Sequence, residues 1–503
     1  MHRASLHKLA NCLICLLIAG LCMQVSGQTP LIEATKNQNE NAVSELLAGQ
    51  ADVNTPQGDG ATALHWAVYR NNTAIAALLL NSGADANAAD DHGVTPLSLA
   101  SLNSSSELVG LLLDAEADAN KAKSSGETPL MIAAHVGNIE VIELLLESGA
   151  RVNDRENSKL HTALMFAVAE NHLQAAQLLI ENGAAVIASS RNNFTPLLFA
   201  AQKGNVEIAA LLLASGAYVN DSAADGIAGN TNARWNLMPD TEASALLVAI
   251  DSDHEETALL LLAQGADPNL NGAGRTALHS AVQHRMPTLV SALLANGADP
   301  NARLARPLPV FSRVIFIDNG LAVSKLGATP FFLASGYGDL EMMNLLIAGG
   351  ADPLLNSEDG TTALMVAAGA DFVEGQDKYN ERWFEDNVVA LQESALLAVI
   401  ECLELGIAIN AKNQSNQTAL HGAIYLGGSQ LVSYLIGNGA DINAINDRGQ
   451  TPWMIAGKGE YRAGSLMTLP DLAAHLETLG ADTFLGEDLG RYYERDAREA
   501  EQR

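Results

Sequence analysis

The chain has 503 residues, with 28 lysines and arginines against 58 aspartates and glutamates, for a net charge of −30. Such a surface repels nucleic acid and anionic lipid headgroups and favours basic or polar partners, unless the charge serves solubility alone. Short basic runs that would create a local exception are absent from the sequence.

At the start, Arg3, His7 and Lys8 precede a mostly apolar run from Leu9 to Met23, and Val25-Ser26-Gly27 offers small residues at the cleavage positions. This pattern predicts a secretory signal peptide over residues 1–27, cut after Gly27, because the apolar run is short and no stop-transfer flank follows. An uncleaved signal anchor is the alternative; a lipid anchor is disfavoured because Leu21 directly precedes Cys22, unlike a bacterial lipobox. Cleavage removes Cys12, Cys15 and Cys22, so Cys402 remains alone and forms no internal disulfide. Its run, Val399-Ile400-Glu401-Cys402-Leu403, reads as apolar filler in a helix. Loss of Arg3 and Lys8 takes the net charge to −32, with 58 acidic and 26 basic residues left.

From Thr29 onward one step recurs, Thr or Ser followed by Ala or Pro and an apolar residue, at Thr29, Thr62, Thr95, Thr128, Thr162, Thr195, Ser244, Thr276, Thr329, Thr362, Thr418 and Thr451. The period is near 33 and is interrupted at three places. Each Thr is placed to cap a helix, and Pro96, Pro129, Pro196, Pro330 and Pro452 stand where a first turn has no use for an N–H. A second apolar run follows in each copy, ended by a glycine such as Gly83, Gly149, Gly216 or Gly349, where a left-handed cap costs glycine nothing. In the first and third copies Gln50 and Glu116 occupy that place, at about 1 kcal/mol each if the cap stays left-handed. Two short helices cannot bury their apolar faces alone, so the copies must stack.

Gly60-Ala61-Thr62-Ala63-Leu64-His65, then Leu78-Leu79-Leu80, then Gly83-Ala84-Asp85-Ala86-Asn87 resembles the ankyrin repeat, and the resemblance runs over roughly residues 29–481 in about twelve copies. It implies an all-α solenoid with β-hairpin-like fingers and a concave face that holds another protein. It also implies that His65, His279 and His421, which follow Thr-Ala-Leu, serve packing and turn hydrogen bonds. The expected organisation is regular repeats 1–6 over 28–220, a finger insert at 221–243, repeats 7–8 over 244–301, a second finger insert at 302–326, and repeats 9–12 over 327–481. Inserts between paired helices are expected near 371–387 and 457–470, and a charged tail over 482–503.

The inserts carry the candidate binding residues. Arg234 and Trp235 lie in the first, and Arg303, Arg306, Phe311 and Arg313 in the second; arginine and aromatic side chains on loops are enriched in binding hot spots. Both inserts fall at fingers, on the same edge. Either they bind a partner or their apolar residues fold back and brace the stack. Arg382, Trp383 and Phe384 between one pair of helices, with Tyr461 and Arg462 between another, form an aromatic and cationic rim on the opposite edge that either caps the C-terminal third or makes a pocket. A closing helix is expected over Leu472 to Leu479, and Leu489, Tyr492 and Tyr493 suggest a short helix in the tail.

No zinc helix, nucleophile elbow or phosphate loop is present, and acidic pairs such as Asp251/Asp253 are too common to mark a site. No catalytic residue, metal ligand or cofactor is therefore expected. The sequence supports an exported, non-catalytic scaffold for a protein or peptide, with no nucleic-acid partner and no membrane insertion after cleavage. An inhibitory or structural subunit of a neighbouring secreted or periplasmic enzyme is the alternative.

Overall fold

The computed structural model describes residues 29–223, 242–306, 325–370, 388–458, 460–462 and 465–485. The leader, the tail from 486, and the inserted residues Arg234, Trp235, Phe311, Arg313, Arg382, Trp383 and Phe384 lie outside them. The chain divides into two compact units, which meet in sequence between Asp221 and Ser222.

In the first unit the helices come in successive pairs: Pro30–Lys36 with Glu40–Ala48, Ala63–Tyr69 with Thr73–Asn81, Pro96–Leu102 with Ser106–Asp114, Pro129–Val136 with Ile139–Glu147, Ala163–Ala169 with Leu173–Glu181, and Pro196–Lys203 with Val206–Ala214. The caps form as the sequence predicts. Thr29, Thr95, Thr128 and Thr162 each accept a hydrogen bond from the backbone N–H three residues on. The apolar positions that these short helices share, among them Leu64, Val68, Ile75 and Leu79, are wholly removed from water. Each pair is too small to achieve that by itself.

The second unit continues in the same manner from Ala245–Asp251 and Glu255–Ala263 to Ala419–Leu426 and Ser429–Gly437. Its inserts leave the pairing intact. Ser222 and Ser244 bridge, Ala223 N–H donates to Ala243 carbonyl at 3.1 Å, and the first insert therefore leaves from a closed base. The second does likewise, with Leu304 N–H on Ala328 carbonyl (3.0 Å) and Gly327 N–H on Leu304 carbonyl (2.8 Å). Within the interrupted pair, helix Ala363–Ala367 is cut to five residues and its partner resumes as Val388–Glu404.

Three expectations need correction. Between the last two helices, Pro452–Lys458 and Pro470–Thr478, the chain forms an antiparallel hairpin, Glu460–Arg462 against Ser465–Met467, so Tyr461 and Arg462 belong to a strand and not to an irregular loop. The closing helix starts at Pro470, two residues before Leu472. Gly349 is right-handed, and it is Gly350 that takes the positive φ of 92°. A Cβ at Gly349 would stand 2.7 Å from Leu294 Cδ1, so that side chain would have to shift to admit one.

Loops between pairs are closed tightly and tied to their neighbours. Gln57 N–H donates to Ala61 carbonyl, Asp90 to Val94 and Ser190 to Phe194, and one main-chain bond links each loop to the next, as from Asp91 N–H to Asp59 carbonyl (2.9 Å) and Arg191 N–H to Lys159 carbonyl (2.7 Å). An asparagine adds a side-chain clamp. Asn54 donates to Gly83 carbonyl at 3.0 Å and accepts from Asp85 N–H at 2.7 Å, and Asn87 and Asn120 repeat the arrangement on the following loops. In the second unit Asn269, Asn301 and Asn410 do the same.

Gln50 and Glu116 do keep the left-handed caps, at φ 59° and 63°. Replacing either with Gly should therefore raise the unfolding free energy by about 1 kcal/mol, the conformational cost that a Cβ carries there. Denaturant midpoints at constant slope measure the gain, and no gain at either site would show that the strain is relieved elsewhere.

Candidate functional site

On the first helix of each pair, the position four residues after the capping residue is partly open in most of the first unit, whereas in the second unit its occupants, among them Val248, Ser280, Leu333, Val366 and Ile455, are buried. From the first pair of the first unit to the sixth it is occupied by Glu33, Trp66, Leu99, Ile132, Phe166 and Phe199, of which Ile132 is buried. Trp66 Nε1 donates to Gln57 Oε1 in the preceding loop at 3.2 Å, and Lys36 Nζ from the neighbouring pair lies 4.6 Å from the Trp66 ring centre. Three residues further along, Tyr69 and Leu102 are 57% and 56% exposed, large apolar side chains left on the surface of this same face. Tyr69 meets Trp66 edge to face at 5.6 Å.

Toward the end of the unit the rings become continuous. His135 meets Phe166, Phe166 meets His161, His161 meets Phe199 and Phe199 meets Phe194, each edge to face with centres 5.3 to 5.5 Å apart. His161 and Phe194 sit just before the capping threonines Thr162 and Thr195, so the loop and the helix each supply rings. Burial holds His161 below the usual histidine range. These residues lie in regular repeats, whereas the arginine and aromatic clusters that stand out in the sequence lie in the inserts. The signal is the repeat-variable position of the first unit, where Trp66, Leu99, Phe166 and Phe199 are large apolar residues left partly in water.

Charge is sorted between the helices of each pair. None of the second helices contains a lysine or arginine, while acidic residues such as Glu40, Glu45, Glu107, Glu140 and Glu143 recur there. The basic residues of the first unit lie on first helices, at their ends, or in the loops.

The sequence-predicted residues that the structure describes sit elsewhere. Exposed Arg303 donates from Nη1 to Gly327 carbonyl (3.3 Å) and Asn356 carbonyl (2.9 Å), tying three loop segments together. It lines a groove of about 560 Å³ with Leu354, Glu358, Asp359 and Lys412. Arg306 lays its stem over Gly274, where a Cβ would stand 2.6 Å from Arg306 Cγ. Both arginines thus touch the loops that frame the second insert.

Two further clusters bear on chemistry. Arg275, 3% exposed, binds Asp251 Oδ2 through Nη2 at 2.6 Å and Ser280 Oγ through Nε at 3.2 Å, while His284 Nδ1 lies 2.6 Å from Asp253 Oδ1. The acidic pair set aside in the sequence is therefore structural: Asp251 neutralises a buried guanidinium. Ser433 Oγ lies 2.7 Å from His475 Nε2, but it donates its proton to Ser429 carbonyl at 2.9 Å, so the histidine donates to it and does not activate it. Among the described residues no group of three or more potential ligands could hold a metal ion. Cys402 is buried with its thiol pushed up to about 12 by desolvation, which keeps it protonated and unreactive.

The comparisons agree with this architecture. The model for "Ankyrin repeats (3 copies)" matches residues 1–90, 84–156, 153–223 and 227–303, and that for "Ankyrin repeat" matches 326–357 and 415–447. The chain belongs to the ankyrin repeat family. Ankyrin repeat and SOCS box protein 16 of Mus musculus is 33% identical over 233 residues, 43% of this chain and 48% of that protein. The E3 ubiquitin-protein ligase KEG of Arabidopsis thaliana is 28% identical over 224 residues, 39% of this chain but 12% of its own length. The B-cell lymphoma 3 protein homolog of Mus musculus is 32% identical over 213 residues, 42% and 39% of the two chains. This chain thus spans less than half the length of each of these relatives. The human ASB11 ankyrin repeat domain, a crystal structure, is 28% identical and matches 48% of this chain and 100% of its own at a TM-score of 0.40.

In this ankyrin chain the histidines of the Thr-Ala-Leu-His step act as expected. In His65, His279 and His421, Nδ1 accepts from the Thr62, Thr276 and Thr418 N–H, and Nε2 reaches the carbonyl of Val94, Ala328 or Gln450 on the next loop at 3.0 to 3.3 Å. Only the neutral ring with its proton on Nε2 satisfies both bonds. Desolvation lowers all three, His279 and His421 to about 4. The folded value lies below the unfolded one, so the unfolded chain binds more protons between pH 6.5 and 4 and stability falls as pH drops through that window. Each of His279 and His421 should cost on the order of 3 kcal/mol once pH is below both values. Urea midpoints from pH 7 to pH 4 should fall less steeply in His279→Gln/His421→Gln than in the native chain, relative to each protein's midpoint at pH 7; parallel curves would refute the assignment.

Proposed function

We propose that the chain is an exported, non-catalytic scaffold that holds a protein or peptide on the first-helix and loop side of its repeats. Its helix pairs are read as twelve ankyrin units and their loops as the hairpin-like fingers of the family. The observation that carries this reading is the exposed row on one face, with Tyr69 and Leu102 more than half exposed beside Trp66 and Leu99. Contiguous apolar surface of this kind is costly to leave in water unless something covers it. The second helices carry acidic residues and no lysine or arginine around their buried stripe, and their exposed large apolar side chains, Leu173 and Leu397, stand singly on separate helices, which favours solvation of that side. Membership of the ankyrin family supports a protein partner in preference to a small substrate. Export is supported by Arg3, His7 and Lys8 ahead of the apolar run and by the small residues up to Gly27.

Aromatic side chains at the centre of an interface carry most of its energy. Trp66→Ser/Tyr69→Ser should therefore weaken retention of the native partner by about 2 kcal/mol or more, whereas Glu140→Gln/Glu143→Gln on a second helix should leave it unchanged. Capture from the secreted or periplasmic fraction with the three proteins side by side, the mature N-terminus being sequenced in the same run, reads both points. Equal retention by all three would remove the proposed face, and an intact Met1 would remove the leader.

A further inference from the structure

The first unit as a whole is acidic: over residues 29–221, aspartate and glutamate outnumber lysine and arginine by 22 to 9. Four of those nine basic residues, Arg151, Arg155, Lys159 and Arg191, fall in two consecutive loops, the ones that flank the continuous ring run. The acidic residues of these loops are turned to their own backbone or to a tip pair. Glu156 is buried and accepts from the N–H groups of Ser158, Lys159 and His161, and Asp154 is bound by Arg151 at 2.7 Å. The cations are held in place from loop to loop. Arg155 Nη1 donates to Ser189 carbonyl at 3.1 Å, Arg191 Nη2 donates to Asn157 carbonyl at 2.8 Å, and Arg191 N–H binds Lys159 carbonyl. Each arginine keeps further N–H donors beyond the one so used. By contrast, the loop two repeats earlier carries Asp85, Asp90 and Asp91 and no lysine or arginine.

Chain position puts two of these cations close to the rings. Lys159 is two residues from His161, whose ring touches both Phe166 and Phe199, and Arg191 is three from Phe194, which touches Phe199. We infer that this corner, Arg155, Lys159 and Arg191 above Phe166 and Phe199, is a docking site for an acidic segment of a partner protein whose aromatic or aliphatic side chains alternate with Asp or Glu. The apolar side chains pack on the partly exposed rings of Phe166 and Phe199, and the carboxylates take the remaining guanidinium and ammonium donors. This rests on the scaffold reading and names the chemistry of one part of its surface. It also reverses, for this corner, the preference for basic partners that the overall charge implies.

The rings disfavour single-stranded nucleic acid as the occupant. They meet at interplanar angles from 64° to 88°, so each covers a neighbour's face with an edge, and no series of open parallel faces is presented for successive bases to stack on. A phosphate backbone running past the corner would also meet the acidic surface that surrounds it.

The test uses the full chain and short fluorescent peptides followed by anisotropy. One peptide carries Phe and Leu among Asp and Glu; a second has Lys in place of the acids; a third has Ser in place of Phe and Leu; a single-stranded oligothymidylate is the fourth probe. The acidic apolar peptide should bind at least about tenfold more tightly than the other three, and more weakly at high salt. Arg155→Glu/Arg191→Glu should weaken it by about tenfold or more and raise affinity for the Lys-bearing peptide, with the thermal melt recorded alongside. Lys159→Glu at an exposed position supplies the same reversal without removing the two arginine–carbonyl bonds, should the double variant fail to fold. Equal or tighter binding of the Lys-bearing peptide or the oligothymidylate, no binding of the acidic peptide, or indifference to charge reversal would overturn the inference. If the acidic peptide fails while partner capture still depends on Trp66 and Tyr69, this corner falls and the scaffold stands; if both fail, so does the scaffold.

Discussion

An asparagine carboxamide can donate to one peptide group through Nδ2 while it accepts from another through Oδ1, on two separate atoms, and within each unit the register of the repeats depends on that property. Asn54, Asn87 and Asn120 each hold the carbonyl before the next turn and the N–H that opens it, at Asp85, Asp118 and Arg151, with the second donor two residues on from the first acceptor. Neither an aspartate nor a serine offers both halves in that geometry. Helix pairs that share only an apolar interface could slide against one another, because hydrophobic burial is not directional. The clamp removes that freedom. Together with the loop-to-loop backbone bond and the histidine bridge from one repeat to the next, it fixes how far each first helix stands from the loop beside it.

Fixing that distance frees other positions. Because Leu64, Val68, Ile75 and Leu79 and their equivalents bury the pair-to-pair interface completely, the residue four places after the capping threonine is left partly open at Trp66, Leu99, Phe166 and Phe199, although the second unit buries it. It can be Trp66 in one repeat and Leu99 in the next without disturbing the stack. Function in such a chain is therefore written in the positions that the fold leaves undetermined, and rigidity in the others is what allows a row of unrelated side chains to present one surface.

The same division explains what the sequence did and did not disclose. Helix starts, proline at the first turn, left-handed Gly83 and Gly149, the strained Gln50 and Glu116, the resumption of a helix at Val388 and the role of His65, His279 and His421 all follow from local rules that repeat, and repetition makes a weak rule strong. The hairpin at Glu460–Arg462 was missed because it occurs once and its alternation is only three residues long. Asp251 looked like one acid among 58, and only a fold that buries Arg275 against it gives it a task. The aromatic row was visible as a column in the aligned repeats, but it was hidden by the longer inserts, whose arginines and aromatics drew attention first. Of those, Arg303 is engaged with two carbonyls of neighbouring loops, a bracing contact that spacing alone cannot reveal.

Charge sorting poses the remaining physical question, since a net charge of −30 is usually expected to act on partners as a whole. Screening limits that reach: at physiological ionic strength the Debye length is about 8 Å, less than the breadth of a helix with its side chains, which is about 10 Å. Acids on the second helices are therefore largely invisible to a segment lying against the loops on the far side of the first helices. What that segment meets is local: the orientation of Glu156 into its own turn, the pairing of Asp154 with Arg151, and the guanidinium donors left over at Arg155 and Arg191. An acidic chain can thus keep its solubility on one side while holding a cationic corner on the other, and the two need not compromise each other so long as no second helix carries a lysine or arginine that would blur the separation.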